Sequence, residues 1–473
     1  MTSRVRAAAV ADLVTVVCLV IAAWLLLAGA YRQVIGGAAV TVRWSQLLIA
    51  AVAIATIRHA VLPRPSLLDS VEDWRVWLAR RPALSDALLA FIATRPVVLL
   101  IGLLAVAAVG LPPGADEPEV GRMTVPGLAS RFDANWYAGI AADGYDWQGR
   151  FDRQQNLAFF PAFPLLIRAA GIVTGALDPR LSAEWRLRRL TTCGLMISLA
   201  AFLWAAWYFA SLAVDVIDDA RARGALLLLA SYPFAVFFSA AYTESLFLLA
   251  ALGAWHSSRN ERFVSGSLWG LLAGLARPNG FFLSVPLGLI ALGARDARSQ
   301  QDERRRRANP VTLRLAVAAM PAIGMLLFTT YLYFTTGEWF AWARLHAAWG
   351  RRFTGELPPL VAQSRSADSL LDLMVAQPYD VLNAMGVAFA LAMAWPVWRR
   401  LAPAWSIYIL INMLPPLFAG GFLSMGRLSS TMFPLFLALG AMLPARTVPA
   451  VITSFALLQG LVTVLFYTWR SLY

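Results

Sequence analysis

The chain has 473 residues, of which 59% are hydrophobic and 14% charged, with a mean hydropathy of +0.63. That composition excludes an ordinary soluble globule: apolar runs near the ~20 residues a membrane helix needs recur along most of the length, implying an all-α polytopic membrane protein. The formal net charge of +13 is carried by arginine alone, because the sequence has no lysine. A Walker A lysine and a Schiff-base lysine are therefore excluded, and the arginines gather between apolar runs as a positive-inside signal rather than on a nucleic-acid-binding face.

In chain order the apolar runs predict spans at 8–31, 44–62, 86–111, 188–214, 222–240, 242–258, 263–276, 280–294, 311–335, 379–397, 403–422, 428–443 and 447–468. These make about 13 crossings, several short enough to be tilted or broken. The first run follows Arg4 and Arg6 and ends in Ala-Gly-Ala, as a signal peptide does, but its length and the later spans favour a retained anchor. Residues 1–85 form a two-span extension with a basic, amphipathic connection carrying Trp74 and Trp77, and residues 86–473 form the main transmembrane domain.

Arginine-rich connections at 58–81, Arg221 and Arg223, Arg259 and Arg262, 295–307, and Arg399 with Arg400 are assigned to the cytoplasm, which puts the N-terminus inside. Alternation then gathers five other connections on the opposite, extracytoplasmic side: 112–187, the turn near Tyr242, the break near Pro278, the loop 336–378 and the turn near Arg427. The stretch 157–175 is apolar but contains Pro161, Pro164 and Arg168; it is expected to lie in the outer interface, with Phe159, Phe160 and Phe163 towards lipid.

Ionisable residues at the edges of these spans are the candidates for chemistry. Asp133 follows the third span beside Arg131, Phe132, Trp136 and Tyr137, close to the membrane yet wet enough to ionise, so it can serve as a base or simply pair with Arg131. Glu244 sits between two apolar runs with almost no polar loop, a costly position that points to function or to helix capping. Arg277, before Pro278, Asn279 and Gly280, suits a phosphate or a pair with Glu244, and Arg427 is a second phosphate candidate or a snorkelling side chain. The loop from residue 336 opens with Glu338, Trp339, Trp342, Arg344, His346, Trp349, Arg351 and Arg352, a mixture suited to sugars, anionic headgroups or interfacial anchoring. The histidines His59, His256 and His346 are scattered, Asp143 and Asp146 have the wrong spacing for a diphosphate-metal site, and Cys18 and Cys193 lie in separate apolar runs, so neither a metal nor a cofactor is expected.

Together several of these segments resemble the PIG-V family of membrane mannosyltransferases, of the GT-C class. The matching pieces are Phe-Asp-Ala-Asn-Trp-Tyr with Ile-Ala-Ala-Asp-Gly-Tyr (131–145), Ala-Phe-Phe-Pro-Ala-Phe-Pro-Leu-Leu-Ile-Arg (158–168), Tyr-Pro-Phe-Ala-Val-Phe-Phe-Ser-Ala-Ala-Tyr-Thr-Glu-Ser-Leu (232–246), 275–280 and 426–436. Where the family commonly has Trp-Asp, this chain has Phe132-Asp133. The resemblance implies a GT-C-like fold with a long first extracytoplasmic loop and an inverting transferase that takes mannose from a polyprenyl-phosphate donor to a lipid, glycan or protein acceptor on the outer face of the plasma membrane, and the lysine-free composition without Asn-x-Ser/Thr sequons looks bacterial. In that reading Asp133 is the base with Glu244 as second choice, Arg277 and Arg427 hold the donor phosphate, and Arg131, Trp136, Tyr137, Tyr145, Tyr242, Asn279, Trp339 and His346 contact substrate. A transporter or flippase of lipid-linked sugars is the alternative, with Glu244 and Arg277 as coupling residues near a broken helix.

Overall fold

The computed structural model describes residues 3–28, 31–35, 38–62, 67–113, 124–293, 310–351, 369, 372 and 378–470. The basic connection 295–307 lies outside the described residues, as do Arg352 and residues 114–123. The chain opens with a hairpin of α1 (Ser3–Ala28) and α2 (Trp44–Val61), joined by antiparallel strands β1 (Tyr31–Ile35) and β2 (Ala38–Val42) with Ile35 opposite Ala38. This small sheet corrects the all-α expectation; the signal for it is the Gly-Gly pair at 36–37 between runs rich in β-branched residues. Arg58 ties the hairpin together by donating from Nε and Nη2 to the Asp12 carboxylate at 2.8 and 3.0 Å.

There follow α3 (Leu67–Ala79), α4 (Pro82–Ala108), α5 (Val125–Ala129), α6 (Ala134–Asp143), α7 (Ala162–Thr174), α8 (Ala183–Val216), α9 (Asp219–Ser231), α10 (Glu244–Arg259), α11 (Phe263–Ala276) and α12 (Ser284–Ala291). The chain ends with α13 (Val311–Thr336), α14 (Ala341–Leu345), α15 (Pro378–Arg400), α16 (Pro403–Gly420), α17 (Met425–Ser430), α18 (Pro434–Met442) and α19 (Val448–Tyr467). Among the described residues six helices are long and apolar enough to cross a membrane, α2, α4, α8, α13, α15 and α19, with α9 and its continuation a seventh if that bent pair is one span. Of the other apolar runs, α1 (26 residues) and α16 (18 residues) are single helices and the rest fall into shorter pieces, several of them interrupted at prolines such as Pro233, Pro278 and Pro434, which remove a helix donor and disfavour α geometry in the residue before them.

One such break shapes the site. At Pro233 the chain leaves α9 and bends by 79° into the 3₁₀ run Pro233–Ser239, which frees main-chain carbonyls inside the bundle. Arg95, fully buried in α4, donates to the Ala230 and Ala235 carbonyls at 2.5 and 2.6 Å. Gln459 donates to the carbonyls of Ala230 and Tyr232 at 3.1 Å, and the Tyr467 hydroxyl donates to Ser239 at 2.6 Å. With its carbonyls satisfied, the break delivers Tyr242, Thr243 and Glu244 to the head of α10 in one fixed position.

Helix α7 is short, 13 residues, and packs on α6 and α8. Its faces are reversed from expectation: Phe160 and Phe163 are buried, and the outward side is Leu165, Ile172 and Val173. The outward side also carries the exposed Arg168, and on the inner side Phe163 meets Tyr137 edge-on at 5.2 Å.

Candidate active site

The five connections that alternation groups together converge on one cavity of roughly 650 Å³, lined by Asp133, Tyr137, Phe159, Thr243, Arg277, Asn279, His346, Arg351, Leu423 and Arg427 among others. A larger hollow on the outer face of α11 is almost wholly apolar, with Arg262 and Ser265 at one end, and has no group able to do chemistry.

Asp133 stands immediately before α6. Phe132, at φ 47°, adopts a left-handed conformation that a bulky residue rarely takes, and packs on Trp469 and Phe466 at centroid distances of 4.6 and 5.7 Å. That turn sends Arg131 and Asp133 in different directions. Arg131 is completely buried, donating from Nε to the Tyr467 carbonyl at 2.9 Å and from Nη1 to the Gly127 carbonyl at 2.8 Å. Asp133 faces the cavity, its Oδ2 accepting from Arg427 Nη1 at 2.7 Å while its backbone N–H donates to the Tyr242 hydroxyl at 3.1 Å.

Glu244 is the first residue of α10, where the helix dipole favours a negative charge, and it has no exposed surface. Its Oε1 accepts from both Arg277 Nη1 and Arg427 Nε, while Oε2 has no hydrogen-bond partner among the described residues. Thr243 occupies the cap position, and its hydroxyl makes no cap hydrogen bond among the described residues. Arg277 is extended between α11 and the 3₁₀ run Pro278–Leu283, the conformation the following proline favours. Arg427, in α17, lies 4.6 Å over the Tyr242 ring and 5.6 Å from that of Phe237. The residue before it is glycine, and a Cβ there would fall 2.1 Å from the Phe234 ring, so glycine lets α17 pack this closely on the 3₁₀ run Pro233–Ser239. The result is a continuous chain, Asp133, Arg427, Glu244 and Arg277, along the cavity floor.

Aromatic rings form one wall. Trp136 stacks on Phe159 at 5.6 Å, and Trp349 meets both edge-on at 5.9 and 5.8 Å. Tyr145 acts behind this wall, its hydroxyl donating to the Phe159 carbonyl at 2.7 Å, and Asn279 reaches in from the opposite side, donating to Asn412 at 2.8 Å. Of the residues expected to touch substrate, then, Tyr137, Asn279 and His346 line the cavity; Trp136, Tyr145 and Tyr242 buttress it. Arg131 and Trp339 are not brought to it: Trp339 is 47% exposed and stacks on Tyr333 at 4.6 Å. Trp342, Trp349, Phe281, Phe282, Pro415 and Pro416 are further lining residues.

Burial, reinforced by the charges of Arg351 and Arg427, pulls the His346 imidazole down to about 3. An unfolded chain protonates this side chain near pH ~6.5, so the unfolded state binds the extra proton as the pH falls below that value. The stability contributed by neutral His346 is accordingly full above pH ~6.5 and lost on acidification towards 3. His346→Gln is expected to make melting temperature fall less steeply from pH ~6.5 to ~5 than in the parent protein; identical slopes would mean that His346 is not held neutral.

The mannosyltransferase (PIG-V) family model matches residues 121–339, the segment that supplies Asp133, Glu244, Arg277 and Asn279 but not Arg351 or Arg427. A search of the curated proteins found no match. The match of residues 121–339 to the PIG-V mannosyltransferase family, together with the set of long apolar helices, supports a membrane glycosyltransferase.

Proposed function

We propose that this enzyme is an inverting transferase that moves mannose from a polyprenyl-phosphate carrier to a hydroxyl of a lipid, glycan or protein acceptor on the extracytoplasmic side of the plasma membrane, with the N-terminus cytoplasmic. The observation that carries the reading is the ion-paired chain Asp133, Arg427, Glu244 and Arg277 on the floor of a cavity walled by aromatic rings. Asp133 is the carboxylate of that chain which reaches the cavity itself, so it takes the proton of the acceptor hydroxyl. The hydroxyl oxygen forms the new bond to the anomeric carbon while the sugar–phosphate bond breaks on the opposite face, its electron pair leaving with the carrier phosphate. Fixed positive charge in the cavity stabilises that departing phosphate. Glu244 holds Arg277 and Arg427 in register, and the aromatic wall accepts the sugar face. Residues 1–85 serve the acceptor or a partner.

Purified protein in proteoliposomes, given labelled polyprenyl-phosphate mannose and, separately, labelled nucleotide-diphosphate mannose with an extract of envelope glycolipids, is expected to transfer label only from the polyprenyl donor. Transfer from the nucleotide donor alone would refute the reading.

A further inference from the structure

The two arginines nearest the proposed chemistry are already committed, Arg277 to Glu244 and Arg427 to both Glu244 and Asp133. A third guanidinium, Arg351, lines the same cavity and has no carboxylate within ion-pair distance among the described residues; its Nη2 donates to the Leu423 carbonyl at 2.8 Å. Among the described residues three guanidiniums therefore face two carboxylates, with His346 neutral beside them, which leaves one positive charge uncompensated. Burial and the like charges of Arg427 and Arg277 pull Arg351 down to about 10, with Asp133 opposing, so it remains charged at neutral pH. Arg351 is half-buried, and an uncompensated cation drawn partly out of water is costly in a way that a bound anion relieves.

Arg351 is also held in place. The turn His346–Trp349 closes at Gly350, φ 83°, with Gly350 N–H donating to Ala347 at 3.0 Å and Arg351 N–H to His346 at 3.2 Å, the pairing of a left-handed helix end. The stem then lies on α16 at Gly420, where a Cβ would come within 2.9 Å of Arg351 Cγ.

We infer that Arg351 is the side chain that receives the donor's phosphate, leaving Arg277 and Arg427 to position Glu244 and Asp133. The inference rests on the polyprenyl-phosphate reading above. A sugar phosphodiester carries a single negative charge, which matches the excess; after transfer the carrier leaves as a monoester whose further charge falls on the same forked guanidinium.

The test is direct binding of a polyprenyl monophosphate and of the corresponding neutral polyprenol to the intact protein in nanodiscs, followed by quenching of tryptophans such as Trp342 and Trp349 that line the cavity. The parent protein is expected to prefer the phosphate, and Arg351→Gln to lose roughly 10- to 100-fold of phosphate affinity while binding the alcohol unchanged. Arg351→Met, which keeps an unbranched stem against Gly420, guards against a folding defect and is expected to behave the same way. In turnover both variants raise KM for the donor more than they lower kcat. A phosphate preference that survives in a folded variant overturns the assignment of Arg351 and leaves the proposed function standing; a parent protein that does not distinguish phosphate from alcohol overturns both.

Discussion

Replacing Asp133 with asparagine is expected to lower turnover by about 10²- to 10⁴-fold, the usual contribution of a positioned general base. The fold should survive. The substituted side chain offers Arg427 an amide oxygen in the place of Oδ2, Arg427 keeps Glu244, and the Asp133 side chain is 16% exposed rather than sealed in the interior. Donor binding should persist, because the phosphate is assigned to Arg351 on another element. The measurement is the initial rate of mannose transfer set beside melting temperature and donor KM for the same preparation. A variant that retains activity within about threefold of the parent would remove Asp133 from the base role, since removing a working base costs far more than that. Glu244 would be a poor replacement: it has no exposed surface and its Oε1 is engaged by two guanidiniums.

Why these residues could be found from sequence follows from the cost of burying charge. Asp133, Glu244, Arg277 and Arg427 each interrupt or border an apolar run, and counting arginine-rich connections groups their segments on one side; the structure brings all four together. What adjacency cannot give is direction. Arg131 lies two residues from Asp133 in the same motif, yet the left-handed turn at Phe132 sends it into the bundle. Arg351 stands in a loop whose other cations and tryptophans look alike in sequence, and its place in the cavity depends on the left-handed glycine before it and the bare backbone at Gly420. Helix lengths suffered differently. Apolarity continues through Pro233 and Pro278 without marking how the backbone turns there, so hydropathy alone does not separate full-length spans from broken ones. In α7 the exposed Arg168 marks the outward face, while the leucine, isoleucine and valine beside it resemble the buried face in sequence.

Glu244→Gln is expected to be the most destabilising change at this site. The carboxylate is wholly buried and its Oε1 receives two guanidiniums, so a neutral amide leaves Arg277 without a counter-charge and Arg427 with Asp133 alone. Breaking a buried ion pair from one side costs about 3–5 kcal/mol, because the surviving charge stays in the low-dielectric interior. The desolvated guanidiniums would also repel one another more strongly once the anion between them is gone. Unfolding of the parent and the variant in the same detergent measures this, and equal stability would mean that water already solvates these arginines. The double variant Glu244→Gln with Arg277→Met separates structure from chemistry. Removing the stranded cation should recover much of the lost stability, since a buried ion pair can often be replaced by apolar groups at little net cost. Activity should not return, because without Glu244 nothing fixes Arg427 Nε, and the guanidinium that orients Asp133 loses half of its support.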